Sequence, residues 1–325
     1  MIFIQREGIE SRKLSYDSKV CLACGICADS CPTDSLAMAD VLGIARGQVE
    51  GNNLVIDDST CVLCGLCSFA CAFGALKFEI GGEDASELAN YPKWDHDSAI
   101  AEEDCEFCGR CYEACPQDTI VFKRILPDRN KLLEGEISID EEKCIYCSVC
   151  ADLCPAGAIT ISAQNGRLPD TIEVDEDKCV YCGVCKRACP QTAIKAVCST
   201  CMHSEEFEKA KVTGTIFIGD DCINCGWCKE VCPVSAADVS KPFEGQITTS
   251  EEDECVGCGS CVDICSCDAI ELVDGVAQFN QEYCVLCGAC ARLCPQQRIT
   301  VAREDMKLTN VTSASWKATL DKIIN

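Results

Sequence analysis

One cysteine spacing, C-x2-C-x2-C-x3-C, occurs eight times along this chain of 325 residues. The copies use 32 of the 35 cysteines and begin at Cys21, Cys61, Cys105, Cys144, Cys179, Cys222, Cys255 and Cys284. In such a run the first three thiolates bind one iron–sulfur cube, and the fourth binds a neighbouring cube. The spacing therefore predicts eight 4Fe-4S clusters, whose iron is bound through these cysteines.

Composition narrows the class of protein further. The formal net charge of −25 disfavours binding to nucleic acid and anionic lipid, and it favours basic docking surfaces on partner proteins. The opening MIFIQREGIE predicts no secretory leader, and no apolar run reaches the roughly 18 residues of a membrane span. We therefore expect a cytoplasmic protein without a membrane span, whose cysteines are reduced ligands in an anaerobic cell.

Each copy has the same flanking pattern. A short alternating apolar segment and an acidic turn precede the first cysteine, as in ISIDEEKC ending at Cys144, and an apolar segment follows the fourth, as in CPAGAITI from Cys154. Glycine follows the second cysteine in seven copies, with Ser148 as the exception, and proline follows the fourth cysteine in six. This pattern predicts a strand, a cysteine loop, one helical turn and a second strand.

Two such units resemble one small two-cluster ferredoxin of the bacterial type. The resemblance implies an α+β fold of four tandem two-cluster domains, each made of β-α-β units that fold around their clusters. In that fold each cluster takes three cysteines from one copy and the fourth from its partner copy.

Which copies pair is less strongly determined. Successive copies begin 40, 44, 39, 35, 43, 33 and 29 residues apart, and these distances leave both a sequential and an offset pairing open. We adopt the sequential pairing because it leaves no copy without a partner. It predicts ferredoxin domains at 1–80, 99–162, 170–239 and 250–303, a tail at 304–325, and linkers at 81–98, 163–169 and 240–249.

The sequential pairing assigns four cysteines to each cluster. The predicted sets are Cys21, Cys24, Cys27 and Cys71; Cys61, Cys64, Cys67 and Cys31; Cys105, Cys108, Cys111 and Cys154; Cys144, Cys147, Cys150 and Cys115; Cys179, Cys182, Cys185 and Cys232; Cys222, Cys225, Cys228 and Cys189; Cys255, Cys258, Cys261 and Cys294; and Cys284, Cys287, Cys290 and Cys265.

Three cysteines lie outside the repeat. Cys198 and Cys201 precede His203 in a stretch that could clip a loop or bind an adventitious metal, although two reduced thiols are the simpler interpretation. Cys267 could replace Cys265 as a ligand, and we favour Cys265 because it keeps the repeat spacing. His203 and His96 are both interpreted as surface histidines.

Two further features bear on function. Arg110, beside the third copy, predicts a cluster that accepts electrons more readily, with a solvated side chain as the alternative. The tail has Trp316, Leu320, Ile323 and Ile324 at helical spacing, with Ser313 or Ser315 as the cap. It predicts a helix that docks on a partner or packs back on its own chain. Tyr91 and Trp94 are predicted to pin the first linker to a domain.

All eight cysteine runs are complete, which favours closed electron-transfer sites over sites that activate a substrate. A zinc array is the structural alternative, but structural zinc usually joins two separated C-x2-C pairs. The sequence contains neither G-x-G-x-x-G nor G-x4-G-K-[ST], so no flavin or nucleotide site is indicated. We therefore predict no catalytic residues and an electron-transfer subunit.

Eight tandem copies in this layout resemble the polyferredoxins of methanogenic archaea over residues 10 to 302. The stretches REGIESRKLSYD, YPKW and KRILPDRNKLLEGEISID are similar to the members that serve formylmethanofuran dehydrogenase. The resemblance implies a hetero-oligomeric complex in methanogenesis, with a heterodisulfide reductase and hydrogenase as electron source and tungsten or molybdenum catalytic subunits. The alternatives are a hydrogenase-associated polyferredoxin and a free electron-storage ferredoxin.

Overall fold

A computed structural model describes residues 2–128, 135–163, 168–198, 212–250 and 255–324. By its internal contacts the chain forms two units. The first contains Met1–Ser98, Asp220–Gly226 and Val239–Asn325, and the second contains Ala99–Gly219 and Trp227–Asp238.

Short strands and one-turn helices alternate along the described residues. The strands are β1 Ile2–Arg6, β2 Arg12–Tyr16, β3 Leu36–Met38, β4 Leu54–Ile56, β5 Leu76–Ile80, β6 Glu83–Asp84, β7 Lys93–Trp94, β8 Ser98–Ile100, β9 Ile120–Ile125, β10 Gly135–Ile139, β11 Ile159–Ser162, β12 Thr171–Val174, β13 Ile194–Cys198, β14 Thr213–Ile218, β15 Ala237–Val239, β16 Phe243–Thr249, β17 Ile270–Val273, β18 Val276–Phe279, β19 Ile299–Met306 and β20 Leu308–Thr309. The helices are α1 Ile26–Asp29, α2 Val41–Ala45, α3 Leu66–Ala70, α4 Arg110–Glu113, α5 Val149–Asp152, α6 Val184–Ala188, α7 Trp227–Glu230, α8 Ser260–Asp263, α9 Ala289–Leu293 and α10 Ala314–Ile324.

The predicted order of strand, cysteine loop, helical turn and strand is confirmed. In each copy a one-turn helix begins directly after the residue that follows the second cysteine, and a strand follows the fourth cysteine. Because helices this short gain little from their own hydrogen bonds, packing and the cysteine loop must stabilise them.

In the first unit, the copies pair into two frames. A frame is two copies joined by an outer and an inner pair of antiparallel strands. For copies one and two, the outer strands β2 and β5 pair with Tyr16 opposite Leu76, and the inner strands β3 and β4 pair with Leu36 opposite Ile56. For copies seven and eight, β16 pairs with β19 outside and β17 with β18 inside. The helices pack as α1 on α3 and α8 on α9. The core of the first frame buries Leu14, Tyr16, Leu54 and Phe78 together with Cys31, Cys61 and Cys67.

In the second unit, the frames are nested. Copies four and five pair through the outer strands β10 and β13 and the inner strands β11 and β12, with α5 on α6. Copy three pairs with copy six instead, since β9 lies antiparallel to β14 and α4 packs on α7. The strands β8 and β15, at the ends of this unit, also pair.

This arrangement corrects the sequential pairing of copies three to six. The predicted domains 99–162 and 170–239 each join copies that the strand pairing separates. The physical reason is that β9 and β14 form the inner hairpin of one frame, and the complete frame of copies four and five is inserted at the turn of that hairpin. A domain can accept an insertion at an exposed turn, because no hydrogen bond of the ladder is lost there.

The predicted linker at 240–249 is also corrected. Its residues include β16, which pairs with β19 over seven positions from Phe243 to Thr249. In the first linker, which contains β6 and β7, the predicted pinning by two aromatic residues is confirmed. The Tyr91 hydroxyl donates to Gly65 O at 3.0 Å and Trp94 Nε1 donates to Phe69 O at 3.0 Å.

The tail forms the predicted helix, α10, and the Ser313 hydroxyl caps it by accepting from the Trp316 amide at 3.2 Å. The helix packs on its own chain, against α3 and β19, which is the second of the two predicted alternatives; docking of the tail on a partner stays a prediction. Trp316 lies between the rings of Phe69 and Tyr91, at centroid distances of 6.1 and 5.7 Å.

Among the residues that the structure describes, no helix reaches the length and apolarity that a membrane crossing requires.

Candidate iron–sulfur cluster sites

Every copy holds its cysteines on the same strained loop. Three positions per copy have a left-handed backbone: two residues after the first cysteine, one after the second, and three after the fourth. Their φ angles span 47–60°, 65–96° and 49–70°, respectively, and the first set is Ala23, Leu63, Phe107, Tyr146, Tyr181, Asn224, Gly257 and Leu286. Side chains larger than glycine cost energy in this conformation. The repeated strain therefore marks the loops as sites whose shape is needed for function.

The left-handed turns direct backbone amides at sulfur. After the first cysteine, the amide two residues on donates to its Sγ, as from Phe107 to Cys105 at 3.3 Å and from Leu286 to Cys284 at 3.4 Å. After the fourth cysteine, the amide four residues on donates in the same way, at 3.2–3.3 Å to Cys31, Cys154, Cys189, Cys232 and Cys265. Such amides stabilise negative charge on the sulfurs, as a reduced cluster requires.

Three cavities in the first unit are lined by predicted ligand sets. Cys21, Cys24, Cys27 and Cys71 line one cavity. Cys255, Cys258, Cys261 and Cys294 line the second. The third is lined by Cys284, Cys287, Cys290 and Cys265, and also by Cys267. The structure thus brings each of these sets together around a space.

The second copy has its predicted partner nearby. Burial raises the pKa of the Cys67 thiol, and the charges of Cys64, Cys61 and Cys31 raise it further. Cys31, Cys61 and Cys67 are buried in the same core cluster. The four cysteines predicted for the second cluster are therefore neighbours.

In the second unit, the fourth cysteines lie beside other copies than predicted. Burial raises the pKa of Cys182 and Cys185, and the charge of Cys154 adds to the shift, which places Cys154 at the fifth copy. Burial also raises the pKa of Cys150, at the fourth copy, and of Cys105, at the third. The charge of Cys189 adds to the first of these shifts and the charge of Cys232 to the second. These positions contradict the predicted grouping of Cys154 with copy three, Cys232 with copy five and Cys189 with copy six. Cys189 also takes the place at copy four that was predicted for Cys115.

The chemistry of the sulfurs fits a polynuclear iron core. Burial, and then the charge of neighbouring cysteines, raises the pKa of Cys150 to about 11 and that of Cys111 and Cys185 to about 12. Sulfurs packed this closely ionise together only when cations neutralise them. In the described part of the chain, no three His, Cys, Asp or Glu side chains are arranged around one point that fits a single metal ion.

Cys267 lies at the eighth site next to Cys265, and its side chain is 3% exposed. A hydrogen bond from Cys267 lowers the pKa of Cys265 to about 6, although burial opposes the shift. Cys265 also accepts the Ala269 amide that the repeat provides, as the fourth cysteines of other copies do, and Cys267 is a fifth thiol at its side.

Two cations at the eighth site were not predicted. Arg303 donates to the backbone oxygen of Cys287 at 2.6 Å, and Lys241 donates to that of Cys284 at 3.0 Å. Both stand nine residues after a fourth cysteine, as Arg124 does. The shared offset is a signal in the sequence, but only the folded chain shows which carbonyls the side chains reach.

The predictions for the histidines, Arg110 and the cysteines near His203 have different outcomes. His96 is half-buried, not a surface residue, and its Nε2 lies 2.8 Å from Ala72 O. Arg110 begins α4, and its effect on the third cluster stays a prediction. Cys201, His203 and the side chain of Cys198 lie outside the described residues.

A model of the 4Fe-4S dicluster domain matches residues 20–75, 104–158, 143–193, 221–269 and 254–298, and a second model of the same description matches 53–116. These matches cover more than half of the sequence, so the chain belongs to the 4Fe-4S dicluster domain family. It is built from repeated ferredoxin units of mixed strands and short helices.

One individual protein and one solved structure are also similar to this chain. The polyferredoxin protein FwdF of Methanocaldococcus jannaschii is 39% identical over 135 residues, which are 41% of this chain and 38% of that protein. The chain thus matches about two fifths of its relative. A chain of the formate dehydrogenase–heterodisulfide reductase–formylmethanofuran dehydrogenase complex from Methanospirillum hungatei superposes with a TM-score of 0.63 at 23% identity. That superposition covers 99% of this chain and 88% of the other, and it shows a shared fold.

Proposed function

We propose that the protein is a polyferredoxin that transfers low-potential electrons through eight 4Fe-4S clusters and is not itself catalytic. The observation that carries the proposal is the uniform cysteine loop: eight complete ligand runs, each with left-handed turns at the same three positions. Clusters of this type supply one-electron carriers at potentials near about −400 mV. The chain contributes sulfur ligands, amide hydrogen bonds and an insulating shell.

The proposed ligands follow the observed pairing in four two-cluster frames. Clusters one, two, seven and eight keep the sets predicted from the sequence. The third copy, Cys105, Cys108 and Cys111, takes Cys232; the fourth takes Cys189; and the fifth takes Cys154, because these fourth cysteines are the observed neighbours. The exchange leaves Cys115 as the fourth ligand of the sixth copy.

In the first unit, electrons can pass between frames that are far apart in the sequence. The charge of Cys287 raises the pKa of Cys24, so ligands of the eighth and the first cluster are neighbours. Arg292 holds this junction, since its guanidinium donates to Cys24 O at 3.2 Å and pairs with Asp29. The proposed path therefore crosses from the first copy to the last without following the chain.

The proposed partners are the catalytic subunits of formylmethanofuran dehydrogenase, together with a heterodisulfide reductase and hydrogenase, in a cytoplasmic complex of methanogenesis. The relative's name and the complex in which the similar fold occurs support this choice. A free electron-storage ferredoxin is the competing function, and a hydrogenase-associated polyferredoxin is the competing partner.

Anaerobic isolation from the native source tests both parts. We expect about four irons per cysteine run, and co-purifying catalytic chains that contain tungsten or molybdenum. Zinc in place of iron, or far less iron, would overturn the electron-transfer function. Nickel-containing partners without tungsten or molybdenum, or no partner, would overturn only the choice of complex.

A further inference from the structure

We infer that Arg303 and Lys241 tune the eighth cluster, because their fixed positive charges raise its reduction potential and so favour an electron there. The inference rests on the proposed cluster content. It concerns two side chains that are not ligands and that act through their charge.

Arg303 is fixed at the eighth site by its guanidinium. Its Nε donates to Leu286 O at 2.8 Å, its Nη2 to Cys287 O at 2.6 Å, and its Nη1 to Ile323 O at 3.0 Å. The group also lies 5.0 Å from the centroid of the Phe243 ring. Three carbonyls and a ring hold the cation in one place, so its field acts on the cluster from a constant distance.

Lys241 lies at another part of the same site. Its Nζ donates to Cys284 O at 3.0 Å and to Glu282 O. Burial lowers its pKa, while the charges of Cys284, Cys267 and Cys225 oppose that shift. The ammonium is therefore held among sulfurs. Arg303 and Lys241 thus reach the backbone of two of the three cysteines that copy eight supplies to its cluster.

The environment of Arg303 reaches beyond copy eight. Burial lowers the pKa of its guanidinium, and the sulfurs of Cys24, Cys287 and Cys284 oppose the shift. Lys241 similarly lies near Cys225 of the sixth copy. Each cation therefore stands where the eighth site meets a cysteine of another copy, one at the first and one at the sixth.

A fixed cation stabilises the reduced cluster, because reduction adds one negative charge and breaks no bond. Two cations at one site therefore raise its potential above the value that the same cluster would have without them, and the Cys267 thiol adds a hydrogen bond to the Cys265 ligand. An electron that arrives at the eighth cluster is held there more tightly than it would be without Arg303 and Lys241.

The test is a redox titration of the intact, iron-loaded chain with dithionite, monitored by electron paramagnetic resonance. Arg303→Met and Lys241→Met should each make the same cluster signal harder to reduce. We expect at least a tenfold lower reduction equilibrium constant, which is about 59 mV for one electron. Arg303→Lys and Lys241→Arg keep the charge and should restore most of it.

Arg124→Met is the matched control. Arg124 has the same offset from a fourth cysteine, but it donates to Leu153 O and lies over Phe122 in the second unit. Arg124→Met should leave that signal unmoved. The inference fails if Arg303→Met and Lys241→Met keep their iron and the signal does not shift, or if it shifts equally in Arg124→Met. If Arg303→Met loses iron, Lys241→Met decides alone. Low iron in the wild type would instead overturn the proposed function.

Discussion

Each cysteine run depends on three residues whose backbone is left-handed. Glycine meets this demand at little cost, but Leu63, Tyr181 and Asn224 meet it only because the surrounding loop holds them there. The benefit is a set of amides that point at sulfur. The left-handed backbone is therefore part of the ligand geometry. Replacing a glycine at such a position should cost most stability where the new side chain would also collide with a neighbour.

Gly65 is such a position. Its φ is +80°, and a Cβ there would lie 2.7 Å from the Phe78 ring. We expect Gly65→Ala to cost about 1–2 kcal/mol for the left-handed backbone and a further roughly 1–3 kcal/mol for displacing the buried ring. The measurement is the guanidinium concentration at which half of the cluster absorbance is lost, which should fall.

Gly74→Ala provides the comparison. Gly74 has a similar φ of +70°, but nothing lies within 4 Å of a Cβ there. It should show only the backbone cost, about 1–2 kcal/mol. Equal losses in the two variants would show that the contact with Phe78 does not matter.

At the residue level, the ligand cysteines and the glycine after the second cysteine could be read from the sequence because their chemistry is specific. The other left-handed positions could not, since Ala23, Leu63 and Gln297 give no sign of unusual backbone. Nor could Arg303 be told from Arg110. A cation's effect depends on which carbonyls it reaches, and this is set by tertiary packing.

Among the elements, the connection between the two inner strands differs most from one frame to another. Strands β17 and β18 are joined by the two residues Asp274 and Gly275, whose φ angles are +51° and +82°. Strands β9 and β14 form the equivalent ladder, with Ile125 opposite Thr213, but copies four and five lie between them in the sequence. The same ladder is thus closed once by two residues and once by an entire frame.

This equivalence predicts that residues 126–212 can be replaced by Asp-Gly. That dipeptide suits a two-residue hairpin turn with both φ angles positive. The shortened chain should keep the frame of copies three and six and lose only about eight irons. Iron analysis and the absorbance per chain measure the outcome.

Deletion of 99–162 is the contrasting variant. A sequential pairing predicts that it removes one complete domain and about eight irons. The nested pairing predicts that it also leaves copies five and six without their partner copies. Loss of only eight irons here, with a larger loss on replacing 126–212, would contradict the nested arrangement.

The tail helix gives a second prediction for an element. Trp316→Ala removes a ring that packs on Phe69 and Tyr91. Because the side chain is only partly buried, we expect a local loss of about 2 kcal/mol, less than for a fully buried Trp. Amide hydrogens of α10 should then exchange roughly thirtyfold faster. Lys317→Ala, at an exposed neighbouring position, should leave the exchange unchanged, and equal rates in the two variants would contradict the packing.

The helices and strands themselves were predictable, because the spacing of apolar residues and the capping of helices are local properties, as Ser313 shows. Their partners were not. The distances between copies hold a hint, since the gap of 35 residues between copies four and five is shorter than the gaps of 39 and 43 beside it. That difference is too small to decide the pairing, because loop-closure entropy changes slowly with length. Likewise, an apolar helix face cannot reveal which surface it covers.

For the whole molecule, charge is the property that sequence determines directly. The net charge is −25 from 53 acidic and 28 basic side chains, with histidine neutral. Bound clusters with thiolate ligands do not reverse this sign. The field around the chain should therefore attract basic partners and repel acidic ones at distances up to the Debye length, about 10 Å at 0.1 M salt and 30 Å at 0.01 M.

Two small oxidants of opposite charge test this field on the reduced, intact protein. Oxidation by the hexaamminecobalt(III) cation should slow as salt is raised from 0.01 to 0.5 M, because screening removes the attraction. Oxidation by the ferricyanide anion should accelerate over the same range, because screening removes the repulsion. Stopped-flow absorbance measures both rates, and each oxidant serves as the control for the other. Rates that change in the same direction for both would show that the surface near the clusters does not share the negative charge of the whole chain.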